Sequence, residues 1–163
     1  MKCKPQNLLD IYKEIRPFLI ELGNLKLEEV NFDQVIRLGD SESMTLRPVF
    51  HFVFDTLSNI RGFGPVPASK TLHLVAPSLF VMWDRPICKE LYDLRLNGYC
   101  YAYKFIPKMK EELEEAIESC MQERACSRTD AVKWLYEEIE RIHHTRRTLA
   151  KAIDECNWII AHP

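Results

Sequence analysis

Leu8, Leu9, Ile11, Tyr12, Ile15, Phe18, Leu19 and Leu22 return at helical spacing and stop at Gly23. The same period recurs along nearly the whole chain. Apolar side chains three and four apart share one face of a helix, so a chain patterned this way buries its core between helices. Pro17 falls inside the first stripe. Proline lacks an N–H and crowds the preceding turn, so a kink or a break is expected there. Val30, Val35, Ile36 and Leu38 predict a short second helix ending at Gly39, followed by a loop from Asp40 to Ser43. Val49, Phe50, Phe52, Val53, Phe54 and Leu57 are apolar almost all round, which predicts a central, buried helix.

Farther on, the pattern predicts a helix from about Pro86 to Leu96, stopping near Asn97-Gly98. Tyr99-Cys100-Tyr101-Ala102-Tyr103 alternates weakly and reads as a short strand or a loop. Lys108 to Cys120 predicts a helix, Ser127 to Asp130 resembles a capping box before the next one, and a last helix is expected from about Thr145 to Ile160. There are no internal repeats. The expected fold is an all-α, multi-helix globular domain covering residues 1–163, with room for one short β-hairpin.

Lysine plus arginine number 22 against 24 acidic residues, a formal charge of -2. Phosphate contacts dominate nucleic-acid affinity, so this balance counts against tight binding driven by overall charge. Basic residues do gather locally, as at Arg141, Arg146, Arg147 and Lys151. No apolar run approaches the roughly 18 residues a membrane span needs. The start, MKCKPQNLLDIYKEI, lacks the apolar core of a signal peptide. The expectation is a cytosolic protein with no membrane association. The six cysteines, Cys3, Cys88, Cys100, Cys120, Cys126 and Cys156, include no C-x-x-C pair and read as reduced thiols. No metal site, no nucleotide-binding loop and no Ser/His/Asp constellation is apparent, and no cofactor is expected.

The stretch from Arg61 to Ile87, RGFGPVPASKTLHLVAPSLFVMWDRPI, carries the functional argument. Gly62 and Gly64 are free to adopt positive φ on either side of Phe63. Pro65 suits the first position of a helix and Pro67 still lies in its first turn. The segment from Phe50 to Val75 therefore reads as helix, tight glycine turn, helix. Such a turn presents main-chain N–H groups beside a helix N-terminus, which suits an anion such as a DNA phosphate. A plain interhelical turn is the competing reading.

Gly62-Phe63-Gly64, with Ala68 four residues after Gly64, resembles the helix–hairpin–helix motif of the DNA glycosylase superfamily. In that family a catalytic aspartate follows the hairpin at about the distance that separates Gly64 from Asp84, twenty residues. GFGPVPASKTLHL and WDRPI are similar to the hairpin helix and the Asp-Arg-His-Ile signature of archaeal oxoguanine glycosylases. The resemblance spans Phe50 to Leu91, about a quarter of the chain. It implies DNA contact through Gly62, Phe63, Gly64, Val66 and Lys70, a catalytic Asp84, and a base pocket bordered by Trp83. Bifunctional members carry a nucleophilic lysine two residues after the second hairpin glycine, where this chain has Val66. Lys70 lies a helical turn farther on, so lyase chemistry is not implied. Pro86 stands at the histidine of the signature, and the four-cysteine cluster spacing of some members is absent.

A fixed carboxylate at Asp84 would stabilise the positive charge that builds on a sugar as its N-glycosidic bond breaks. Asp84 also precedes Arg85-Pro86 and so suits an N-cap, with Trp83 and Phe80 as core. His51 reads as a core residue, and His143-His144 as surface histidines that point apart. Lys70 and His73 would face a phosphate or solvent, and Trp134 and Trp158 read as core. The leading expectation is a glycosylase-like DNA-binding domain without lyase activity. Its rivals are a non-catalytic DNA-binding or protein-interaction module on the same scaffold, and a helical partner-binding protein with a purely structural hairpin.

Overall fold

The computed structural model describes residues 5–38 and 42–163. Helix α1 (Pro5–Gly23) leads to a two-stranded antiparallel hairpin, β1 (Val35–Leu38) and β2 (Glu42–Thr45). The hairpin register pairs Ile36 with Met44. Helices α2 (Leu46–Ser58) and α3 (Pro65–Val75) come next, joined by the glycine turn. After them stand a π-helical segment (Pro86–Leu91) and a one-turn helix α4 (Gly98–Cys100). A second π-helical segment (Tyr101–Phe105) runs directly into α5 (Ile106–Arg124). Helices α6 (Arg128–His143) and α7 (Leu149–Ala161) complete a mostly all-α fold.

Helix α2 is the axis of the core. Leu46, Val49, Phe50, Val53, Phe54 and Leu57 are all buried on it. Around it an aromatic cluster closes: Phe54 stacks on Tyr101 at 4.4 Å, meets Trp83 edge-on at 5.6 Å, and Phe50 meets Phe80 at 5.1 Å. Aromatic pairs at these separations add to the area they bury. The buried Tyr101 hydroxyl donates to the Val81 carbonyl at 2.8 Å, which satisfies its polar end.

Four expectations need correction. Val35–Leu38 is a strand, not the end of a helix. Four residues are too few to repay helix nucleation, and Val35-Ile36 favour extended backbone. Glu42 and Ser43 belong to β2, while Gly39, Asp40 and Ser41 lie outside the described residues. The helix from Pro86 stops at Leu91 because Asp93 turns left-handed, φ 49°. Asn97 then opens a helix instead of closing one, its side chain accepting the Cys100 N–H at 2.8 Å. Tyr99–Tyr103 is helical, neither strand nor loop. Pro107 has no N–H to return to Tyr103, and there the π register passes into the α ladder.

Helix α1 runs through Pro17 without a break. Ser127 caps α6, accepting the Asp130 N–H at 3.2 Å, and Thr148 caps α7 through the Lys151 N–H at 3.1 Å. Cys88, Cys100, Cys120, Cys126 and Cys156 are free thiols, and Cys3 lies outside the described residues. Among the described residues no helix is long and apolar enough to cross a membrane.

Candidate functional site

The glycine turn is built as its composition dictates. Gly62 and Gly64 hold φ of 83° and 81°, a region that side chains disfavour. Between them Phe63 packs against the core, and its N–H donates to the Ile60 carbonyl at 2.9 Å. Pro65 begins α3, and the Gly64 carbonyl accepts the Ala68 N–H at 3.1 Å. Pro65 and Pro67 carry no N–H. The donors left at the turn are the N–H groups of Gly62, Gly64 and Val66, none of which takes a partner among the described residues.

Helix α3 anchors the segment that leads to Asp84. Buried Ser69 accepts the Trp83 N–H at 3.3 Å, and its hydroxyl stands 3.2 Å from the Trp83 carbonyl. His73 is buried as well, its Nδ1 2.6 Å from the Phe80 carbonyl. That carbonyl can only accept, so Nδ1 carries the proton. His73 is thus a strut of the fold and faces neither solvent nor a phosphate. These two side chains tie Phe80 and Trp83 to α3 and thereby set Asp84 in place.

Asp84 caps the first π-helical segment: Oδ1 accepts the Ile87 N–H at 3.0 Å. Its Oδ2 lies 3.3 Å from His162 Nε2. The carboxylate is about one quarter exposed and borders a cleft of about 610 Å³. Lys70 from α3 and Ile87 line one side, and Lys151, Asp154 and Trp158 from α7 line the other, with Arg147 just before α7. Ligand pockets commonly fall between about 300 and 1,000 Å³, so the volume suits a small organic group.

Three cations and three acids meet here. Lys151 pairs with Asp154 at 2.5 Å, Arg147 pairs with Glu155, and Lys70 makes no ion pair among the described residues. Arg147 and Lys151 are therefore spoken for, whereas Lys70 is exposed and open to an anion.

Of the residues singled out from sequence, Lys70, Trp83 and Asp84 come together on this cleft, while Gly62, Phe63, Gly64 and Val66 stand apart from its lining. Trp83 needs correction as a stacking platform. It is 1% exposed, enclosed by Phe54, Tyr101 and Phe105, and its Nε1 donates to the Pro65 carbonyl at 3.4 Å. No ring face remains for a base. Trp158, read as core, is instead 55% exposed on the cleft and stacks on His162 at 4.9 Å. His51 is not core either: its ring is part-exposed and bonded to Asp55 at 3.0 Å.

Sequence reasoning passed over Asp154 and His162. Lys151, Asp154 and Trp158 stand three and four residues apart, which puts them on one face of α7, and that spacing was the available signal. Asp154 is 4% exposed, a buried acid at the edge of an open cleft. No family model, no curated protein and no solved structure matches the chain.

Proposed function

We propose that this chain is a glycosylase-like helix–hairpin–helix domain that binds DNA through the turn from Gly62 to Val66 and receives an extruded base in the cleft beside Asp84. The observation that carries the reading is the cleft: a carboxylate twenty residues past the second hairpin glycine borders a hollow of about 610 Å³, which has room for a base. In this reading the three unpartnered N–H groups of the turn and the Lys70 ammonium hold phosphates, which needs no basic excess over the whole chain. Trp158 offers the exposed ring on which a base stacks.

The chemistry is hydrolysis. The C1′–N bond breaks, Asp84 stabilises the positive charge on the sugar, water adds its oxygen to C1′, and the base leaves with a proton. Val66, at the position of the lyase lysine, supplies no amine for a Schiff base. Borohydride therefore traps no adduct.

Both Asp84 oxygens are already engaged, by Ile87 N–H and by His162. That engagement favours a second reading, a non-catalytic DNA-binding module on the same scaffold. One series separates the two. Binding to a duplex with an abasic-site analogue is monitored by fluorescence anisotropy across a salt series, and base release from damaged duplexes is compared with Asp84→Asn. Salt-sensitive binding with release lost in Asp84→Asn supports the enzyme; binding without release supports the module. No binding even at low salt removes both.

A further inference from the structure

Tyr92, just past the first π-helical segment, has one hydroxyl proton and three oxygen neighbours. Glu112 Oε1 and Oε2 on α5 stand 2.8 and 2.9 Å away, and Asn157 Oδ1 on α7 stands 2.6 Å away. The Asn157 Nδ2 faces Met109 sulfur at 3.0 Å. Proton arithmetic decides what this cluster holds. If Glu112 is ionised, the Tyr92 proton goes to it, and the phenol oxygen and Asn157 Oδ1 face each other with lone pairs only. Flipping the Asn157 amide gives Tyr92 a donor but turns the amide oxygen onto a thioether, which has no proton to give. Asn157 is 3% exposed, so either arrangement leaves a buried acceptor unsatisfied. With a proton on Glu112 every group is served: Glu112 donates to Tyr92, Tyr92 to Asn157, and Asn157 to the sulfur.

We propose that Glu112, Tyr92 and Asn157 form a proton-operated latch between the two walls of the cleft. Tyr92 anchors the segment that carries Ile87, and Asn157 immediately precedes Trp158 on α7. Protonated, the latch ties these walls through α5; ionised, it releases Asn157 and loosens the turn of α7 that presents Trp158. Burial holds the Glu112 carboxyl above the ordinary glutamate range, Glu111 and Glu115 push the same way, and Tyr92 and Lys108 pull it back. The charged and titratable groups around it are Lys108, Glu111 and Glu115 on α5, Tyr92 on the facing segment and Cys156 on α7. The latch does not depend on what the cleft binds.

The test is fluorine NMR of protein labelled with 5-fluorotryptophan, the Trp158 resonance assigned with Trp158→Phe, over a pH titration rising from the ordinary glutamate value of about 4.3. The His162 ring is stacked on Trp158, so the signal of the latch is read as the difference between wild type and Glu112→Gln, in which that neighbour is unchanged. The glutamine amide donates to Tyr92 at every pH. The expected result is a wild-type titration step that is absent from Glu112→Gln. Tyr92→Phe, which removes only the hydroxyl, is expected to lose the same step with its resonance at the high-pH position throughout, and it decides the matter if Glu112→Gln does not fold. Identical profiles for wild type and the variants overturn the latch.

Discussion

His162 Nε2 meets Asp84 Oδ2 at 3.3 Å while Asp84 Oδ1 accepts the Ile87 N–H at 3.0 Å. One carboxylate thus closes the start of the first π-helical segment and touches the end of α7. The cap and the proposed chemistry respond differently to substitution. Asp84→Ala removes the cap and is expected to cost about 1 kcal/mol, read from chemical denaturation. Asp84→Asn keeps an acceptor for Ile87 and is expected to cost less, yet to lose base release. Release lost in step with stability in both variants would assign Asp84 to capping alone.

The hairpin is tested by adding single methyl groups. A Cβ on Gly64 would meet nothing within 4 Å, so its cost is purely conformational, set by φ of 81°. Gly64→Ala is expected to cost about 1 kcal/mol of stability and to weaken DNA binding more than it lowers the melting temperature of the free protein. Unchanged affinity in a folded Gly64→Ala protein would separate the turn from the DNA strand.

The helix–turn–helix from α2 to α3 was legible because its determinants are local: two glycines, a proline at the first helical position and a run of buried phenylalanines. Asp84 as a cap was legible for the same reason. The identity of the cleft wall was not. Trp158 and Trp83 sit among similar apolar neighbours in sequence, yet one is 55% exposed and the other 1%. That difference arises from where α7 lies against the rest of the fold, which a periodicity cannot express. The strand at Val35–Leu38 and the helical Tyr99–Tyr103 exchanged types because short apolar runs do not resolve a period of two from one of 3.6.

Gly98 is a packing constraint. A Cβ there would lie 2.2 Å from Asp55 Oδ1, the oxygen that accepts the Gly98 N–H at 3.1 Å. Gly98→Ala is therefore expected to destabilise by about 2 kcal/mol, more than Gly64→Ala, although its φ is unremarkable for a helix. Combining it with Asp55→Ala removes the nearer obstacle and leaves His51 Cδ2 at 2.8 Å, so the double variant should lose less than the sum of the two single losses without recovering fully.

Acid should weaken the junction of α5 and α6. Burial alone would raise the Glu114 carboxyl, but hydrogen bonds from Arg128 and Lys110 outweigh it and hold the group below its ordinary value. A lowered folded value means that the unfolded chain binds the proton more readily, so this contribution is present above the unfolded glutamate value of about 4.3 and fades as pH falls below it. Glu114→Gln should flatten the stability profile in that acid range and change it little near neutrality beyond a constant offset. Parallel wild-type and Glu114→Gln profiles would remove Glu114 from the acid response.

The Lys151–Asp154 pair on the cleft wall gives the sharpest energetic test. Asp154 has a side chain only 6% exposed and Lys151 one that is 30% exposed, at 2.5 Å from each other. Deleting the cation strands a carboxylate with little water to solvate it, and that penalty exceeds what the pair contributes as a pair. Lys151→Met is expected to cost about 2 kcal/mol, below the range for fully enclosed pairs because Lys151 keeps some solvent. Lys151→Met with Asp154→Leu removes both charges and should recover most of that loss, measured as the urea midpoint at constant slope. A double variant no more stable than Lys151→Met alone would mean that Asp154 is held by something other than its lysine, and that the acid at this wall is not an electrostatic liability carried for the cleft.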